Sequence, residues 1–219
     1  MHGWWVATFW SNSPALLISW IFWVILSITL HELAHGVAAI RQGDRTPIEL
    51  GHMTWNPLVH MGPWSLAMFA LLGLAWGAMP VNPSRFRSRY GDAIVAVAGP
   101  LTNLGLFVIC ALLNGLWAAL APSSVGADIQ QNLQQFFFAG AVLNGVLFAF
   151  NLVPVPPLDG FRIISNFFPR FGSVFDDGKA QFVVIVLFAL LWIRGFGWLF
   201  GGAAFVTLAI EAVIGAVIP

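Results

Sequence analysis

Residues 31 to 35 read His31, Glu32, Leu33, Ala34 and His35, the pattern HExxH. On a helix the two histidines lie one turn apart on one face, so both imidazoles can reach one ion. Glu32, one position further round, can take a proton from water that such an ion has acidified. A catalytic zinc keeps three protein ligands and one open position, which calls for one more donor. Two acids lie in suitable surroundings: Asp159, within NLVPVPPLDG at residues 151–160, and Glu211, inside a late apolar segment. Pro154, Pro156 and Pro157 break a helix, and Gly160 permits a tight turn that can swing the Asp159 carboxylate inward. Glu211 is close enough to the chain end to reach an interface and reads as structural.

These groups sit in a chain that is 59% hydrophobic and 8% charged, with mean hydropathy +0.85. A soluble domain carries about 25% charged residues, so the composition is that of a membrane protein. Ser13 and Pro14 read as an N-cap and first helical position, and the apolar run continues to Ile40 before Arg41, Gln42 and Gly43 stop it. His31 then lies about 18 Å inside the helix end, well within the hydrocarbon layer. An ionisable group at that depth costs about 2.5 to 3.5 kcal/mol on insertion scales, and a bound divalent cation offsets that cost.

Residues 44–63 are rich in turn formers, with β-like residues from Ile48 to Thr54, and are expected to hold a short strand or hairpin. If its edge is free, an unwound substrate could add to it by main-chain hydrogen bonds. Residues 64–79 are apolar but reach only about 24 Å, which suits a re-entrant or interfacial segment. Apolar blocks at 93–120, 136–150, 182–193 and 196–218 complete the series, and 122–135 forms a polar loop. The expected fold is an all-α polytopic membrane protein of one domain, residues 1–219. It has five full transmembrane helices plus the short segment at 64–79, six if that segment crosses.

The nine basic and nine acidic residues cancel, leaving no basic excess to suggest nucleic acid. Cys110, the single cysteine, has no internal disulfide partner and reads as a packed or lipid-facing thiol. The N-terminal residues lack the basic n-region and small-residue cleavage site of a signal peptide. If 64–79 dips in and returns, Arg41, Arg45, Arg85, Arg87, Arg89, Arg162, Arg170 and Lys179 share one side, and only Arg194 is misplaced. The positive-inside bias favours that arrangement, with the N-terminus outside and the C-terminus cytoplasmic.

HELAH on one membrane helix and NLVPVPPLDG on a later one resemble the site-2 proteases, which are intramembrane zinc metalloproteases. GHMTWNPLVHMGP, PVNPSRFR and AGPLTN extend the likeness to a compact bacterial branch of that family, over roughly two-thirds of the chain. The resemblance implies Zn2+ bound by His31, His35 and Asp159, with Glu32 as general base and Asn151 helping to stabilise the developing oxyanion. It implies a membrane-anchored protein substrate and a multi-pass place in the bacterial inner membrane, and the balanced charge leaves no nucleic-acid partner expected. No loop within the sequence has the length of the PDZ or nucleotide-binding domain of larger relatives, and with 13 residues before Pro14 their extra helix before HExxH is not expected, so the expectation is a near-minimal catalytic core.

His52, His60 and Asn103 take plainer readings, as loop histidines and as helix-packing polar glue. A metal transporter would need a continuous polar path, whereas the polar groups here converge on one depth. A silent membrane scaffold would have little use for Glu32. The oligomeric state and the identity of the substrate are not legible in the sequence.

Overall fold

The computed structural model describes residues 4–122, 124–175, 183, 184, 186 and 195–218. Among these residues every regular element is helical. A short helix, α1 (Trp5–Asn12), precedes α2 (Pro14–Arg41), which starts as its residues require: Pro14 occupies the first turn and the Ser13 hydroxyl accepts from the Leu16 N–H. At 28 residues α2 is about 42 Å long, longer than the hydrocarbon core. The other long apolar helices are α5 (Gly91–Leu120), α6 (Ala127–Asn151) and α9 (Phe196–Val217), giving four candidate membrane spans among the described residues. The expected span at 182–193 lies almost wholly outside those residues.

Small residues let α2, α5 and α6 pack closely. The indole of Trp23 on α2 lies against Gly140 of α6 and donates to the Phe136 carbonyl at 2.8 Å. Ala111, Ala139 and Ala141 fill the same core with Val24, Ile28 and Leu143, and Cys110 is packed among them. α6 begins nine residues before the apolar block does, so part of the expected polar loop is helical. Glutamine is a good helix former. The amides here also find partners, since Gln135 accepts from the Ser13 hydroxyl and Gln134 donates to Asn114.

The strand or hairpin expected at 48–54 does not form. Turn chemistry outweighs β-propensity there: Asp44 accepts from the Thr46 N–H and hydroxyl, and Pro47 sits in the first turn of α3 (Thr46–Glu49). Gly51 then turns the chain at φ 69°. No neighbouring strand offers this segment a ladder among the described residues.

Extended backbone appears later, after α4 (Pro57–Leu72). This helix is kinked at Gly62, where φ is 68° just before Pro63, and it ends at left-handed Gly73. Residues 74–82 then run back along it without regular structure. The Ser65 hydroxyl bonds both the N–H and the carbonyl of Trp76, and the Ala78 N–H donates to the His60 carbonyl at 2.9 Å. The chain therefore doubles back over 57–79. Arg87 N–H donates to the Gln42 carbonyl at 2.8 Å and Arg85 pairs with Glu49, so both ends of this excursion meet beside the end of α2. After α6, residues 152–158 turn into α7 (Asp159–Phe167) and α8 (Pro169–Ser173).

Candidate metal centre

His31, Glu32 and His35 lie on the buried face of α2, where it packs on α5. The His31 Nδ1 is 2.6 Å from the Asn103 Oδ1, and the His35 Nδ1 is 2.7 Å from the Val95 carbonyl. An oxygen acceptor at Nδ1 calls for N–H on that atom, which turns a lone pair on each Nε2 inward. Asn103 is held in turn, donating to Asn144 Oδ1 at 2.9 Å, and Asn144 donates to the Gly140 carbonyl. A chain of amides across α5 and α6 thus orients one imidazole.

Asp159 is the first residue of α7. Gly160 lies so close to the Leu152 and Val153 carbonyls that a Cβ there would collide with them. That contact seats α7 on the end of α6. Asp159 Oδ2 comes to 3.2 Å from His31 Nε2 and 3.3 Å from His35 Nε2, and the two Nε2 atoms are 2.9 Å apart. Two lone pairs and a carboxylate oxygen converge on one point. Three acceptors so placed repel one another unless a cation lies between them, and two imidazoles with one carboxylate form a known catalytic zinc donor set. The residues fit zinc.

Glu32 lines a cavity of about 370 Å³ with His31, His35, Asp159 and Asn151. Another wall is the segment after α4, of which every residue from Ala75 to Met79 lines the cavity. Two glycines shape the centre. A Cβ on Gly77 would lie 2.6 Å from Glu32 Oε1, and one on Gly99 of α5 would lie 2.5 Å from both His31 Nε2 and His35 Nε2. Neither contact is legible in the sequence, because a glycine in an apolar run carries no mark of what lies opposite it.

The three candidate ligands therefore meet, and Asn103 does more than pack helices, since it bonds His31. Asn151 lines the cavity, and its amide donates back to the Leu147 carbonyl at 2.9 Å. Glu211 accepts from Asn114 at 2.7 Å and from Gln134, and stands apart from the metal group. His60 is buried with its Nε2 donating to the Thr54 carbonyl, and neither it nor His52 joins the group. Arg162 bonds Asp92 of α5 at 2.6 Å and reaches within 4.0 Å of Asp159 Oδ1. That pair ties α7 to α5 and went unread, although Arg162 lies three residues after Asp159 on the same helical face.

Residues 19–194 match the family model described as Peptidase family M50. The chain is 36% identical over 189 residues to "Putative zinc metalloprotease YwhC" of Bacillus subtilis, covering 85% of this chain and 84% of that one. It is 31% identical over 152 residues to "Putative zinc metalloprotease Rip2" of Mycolicibacterium smegmatis, covering 64% and 54%. With "Zinc metalloprotease MJ0392" of Methanocaldococcus jannaschii the identity is 24% over 184 residues, covering 78% and 44%. No solved structure matches the chain.

Proposed function

The chain belongs to peptidase family M50 and is a zinc metalloprotease, and from that premise we propose that it hydrolyses peptide bonds of membrane-anchored proteins at a site within the bilayer. The observation that carries this reading is the cavity shared by Glu32 and the convergent atoms of His31, His35 and Asp159, set among apolar helices.

His31, His35 and Asp159 hold the zinc, with Asn103 and the Val95 carbonyl fixing the two imidazoles. Zinc bound there lowers the pKa of water toward neutrality and polarises a carbonyl. Glu32 accepts the proton of the attacking water and returns it to the leaving amine. Asn151 turns its amide from the Leu147 carbonyl toward the oxyanion that develops on the substrate. The extended segment at 74–82 gives an unwound substrate a main-chain surface along the cavity, in the way strand addition recognises peptides. A helical substrate must unwind to use it, because its peptide bonds are otherwise hydrogen-bonded.

In this reading the protein lies in the inner membrane of a bacterium and crosses it five times. Residues 57–79 dip in from the cytoplasmic side and return, which the doubling back of that segment supports. The test compares the membrane proteome of cells making the intact protein with that of cells making Glu32→Gln. Fragments of membrane-anchored proteins that depend on the carboxylate are expected, and identical fragment patterns in the two strains would refute the assignment.

A further inference from the structure

A second and larger hollow lies on the opposite face of the α2 and α5 pair. It is a groove of about 820 Å³ with Leu33 and Val37 on one wall and Ile94 and Leu101 on the other. The zinc-binding faces of the same helices point away from it, since none of His31, Glu32 or His35 lines it. Val37 is 40% exposed and Leu101 53%, so the groove is an open apolar surface. Met53 and Trp55 also line it, and so do Arg41 and Gln42 at the end of α2.

The polar end of this groove is built for an anion. Arg41, which lines the groove, forms no ion pair or hydrogen bond among the described residues, so its guanidinium is free to meet an anion there. Gln42 uses its side-chain oxygen to accept from the Ser88 N–H at 3.3 Å, which leaves its amide nitrogen to donate. Arg41 ends a helix about 42 Å long, so it lies at head-group level. Apolar walls running into the hydrocarbon and a free guanidinium at the head group match one kind of molecule at both ends.

We propose that the α2–α5 groove is a binding site for an anionic phospholipid, with an acyl chain between Val37 and Leu101 and the head-group phosphate on Arg41 and Gln42. The site is separate from the zinc centre and does not depend on what the protease cleaves. Basic pockets between membrane helices are a recurring mode of anionic-lipid recognition, and each basic residue near the head groups is worth roughly a fivefold preference.

The test incubates the full chain, purified in neutral detergent, with equimolar phosphatidylglycerol and phosphatidylcholine of identical acyl chains, and counts retained lipids by native mass spectrometry. About fivefold more phosphatidylglycerol is expected on the intact protein. Arg41→Lys should keep that preference and Arg41→Gln should bring it to parity. Val37→Trp and Leu101→Trp, both at exposed positions, should lose the retained lipid while zinc content stays at the intact level. Parity on the intact protein, or an undiminished preference in Arg41→Gln, would overturn the proposal. So would displacement of the lipid by an equimolar transmembrane peptide with an acidic flank, which would make the groove a polypeptide site. Because the readout is bound lipid, any of these results leaves the protease reading standing.

Discussion

His31 and His35 are near neighbours on one helix, yet each owes its working geometry to a different outside partner: the Asn103 side chain for one and the Val95 backbone for the other. The difference matters for mutation, because a side chain can be removed and a carbonyl cannot. Asn103→Leu should leave the fold intact and weaken zinc binding about 10- to 100-fold, the usual cost of losing a partner that orients a ligand. Equilibrium dialysis against a zinc buffer measures this, and an unchanged affinity would return Asn103 to a packing role. Glu32 and Asp159 should separate cleanly. Glu32→Gln is expected to lower cleavage by about 10²- to 10⁴-fold with zinc still near one per chain, whereas Asp159→Ala should lose zinc first and activity with it. Metal analysis beside a cleavage assay distinguishes the two, and loss of zinc in Glu32→Gln would make that residue a ligand.

At the scale of elements, the extended segment and the α2–α3 connection do the positioning. Gly77 leaves just enough room for the Glu32 carboxylate, so Gly77→Val should displace Glu32 and cut the cleavage rate at least tenfold while zinc stays bound. A rate near that of the intact protein would show that the segment yields. Asp44 holds the connection: its side chain is fully buried and bonds Thr46, the Asn82 N–H and, more distantly, Arg85. Burial by itself raises the pKa of this carboxyl, but the hydrogen bonds from Asn82 and Thr46 and the charge of Arg85 outweigh it and hold the carboxyl below its ordinary value. A depressed carboxyl contributes stability that is complete above its unfolded pKa of about 3.9 and fades as pH falls through the lower folded value. Amide exchange over 44–50 and 82–88 should therefore speed up as pH drops below about 4, beyond the intrinsic change. Asp44→Asn should show fast exchange already at neutral pH, and equal protection in the two proteins would remove Asp44 from this role.

For the whole molecule the open question is how the chain crosses the membrane. The excursion from Pro57 to Met79 returns to where it began, with Arg85 against Glu49 and Arg87 against Gln42. Single cysteines in a Cys110→Ser background should decide the matter. Labels at positions 45, which is exposed, and 88 are expected to react from one side of the membrane and a label at 124 from the other. Reaction of 45 and 88 from opposite sides would restore a crossing segment.

Much of this protein was legible in its residues. HExxH, the proline-broken approach to Asp159 and the apolar block lengths are local signals, because helix periodicity, proline geometry and span length are properties of neighbouring residues. They pointed to His31, His35 and Asp159, which the structure brings together as a group that could hold a metal ion, and to a helical membrane fold. What the sequence could not express was contact between distant segments. The grip of Asn103 on His31, the pressure of Gly77 and Gly99 on the centre, and the Asp92–Arg162 tie all join residues far apart in the chain. The strand assigned to Ile48–Thr54 failed for the same reason. β-propensity describes residues that suit a strand, but a strand needs a partner across space, and there Asp44, Pro47 and Gly51 turned the backbone into a helix and a bend before any partner could be met. Extended chain arose instead at 74–82, where nothing in the composition calls for it, because Ser65 and His60 of the folded α4 were in place to hold it.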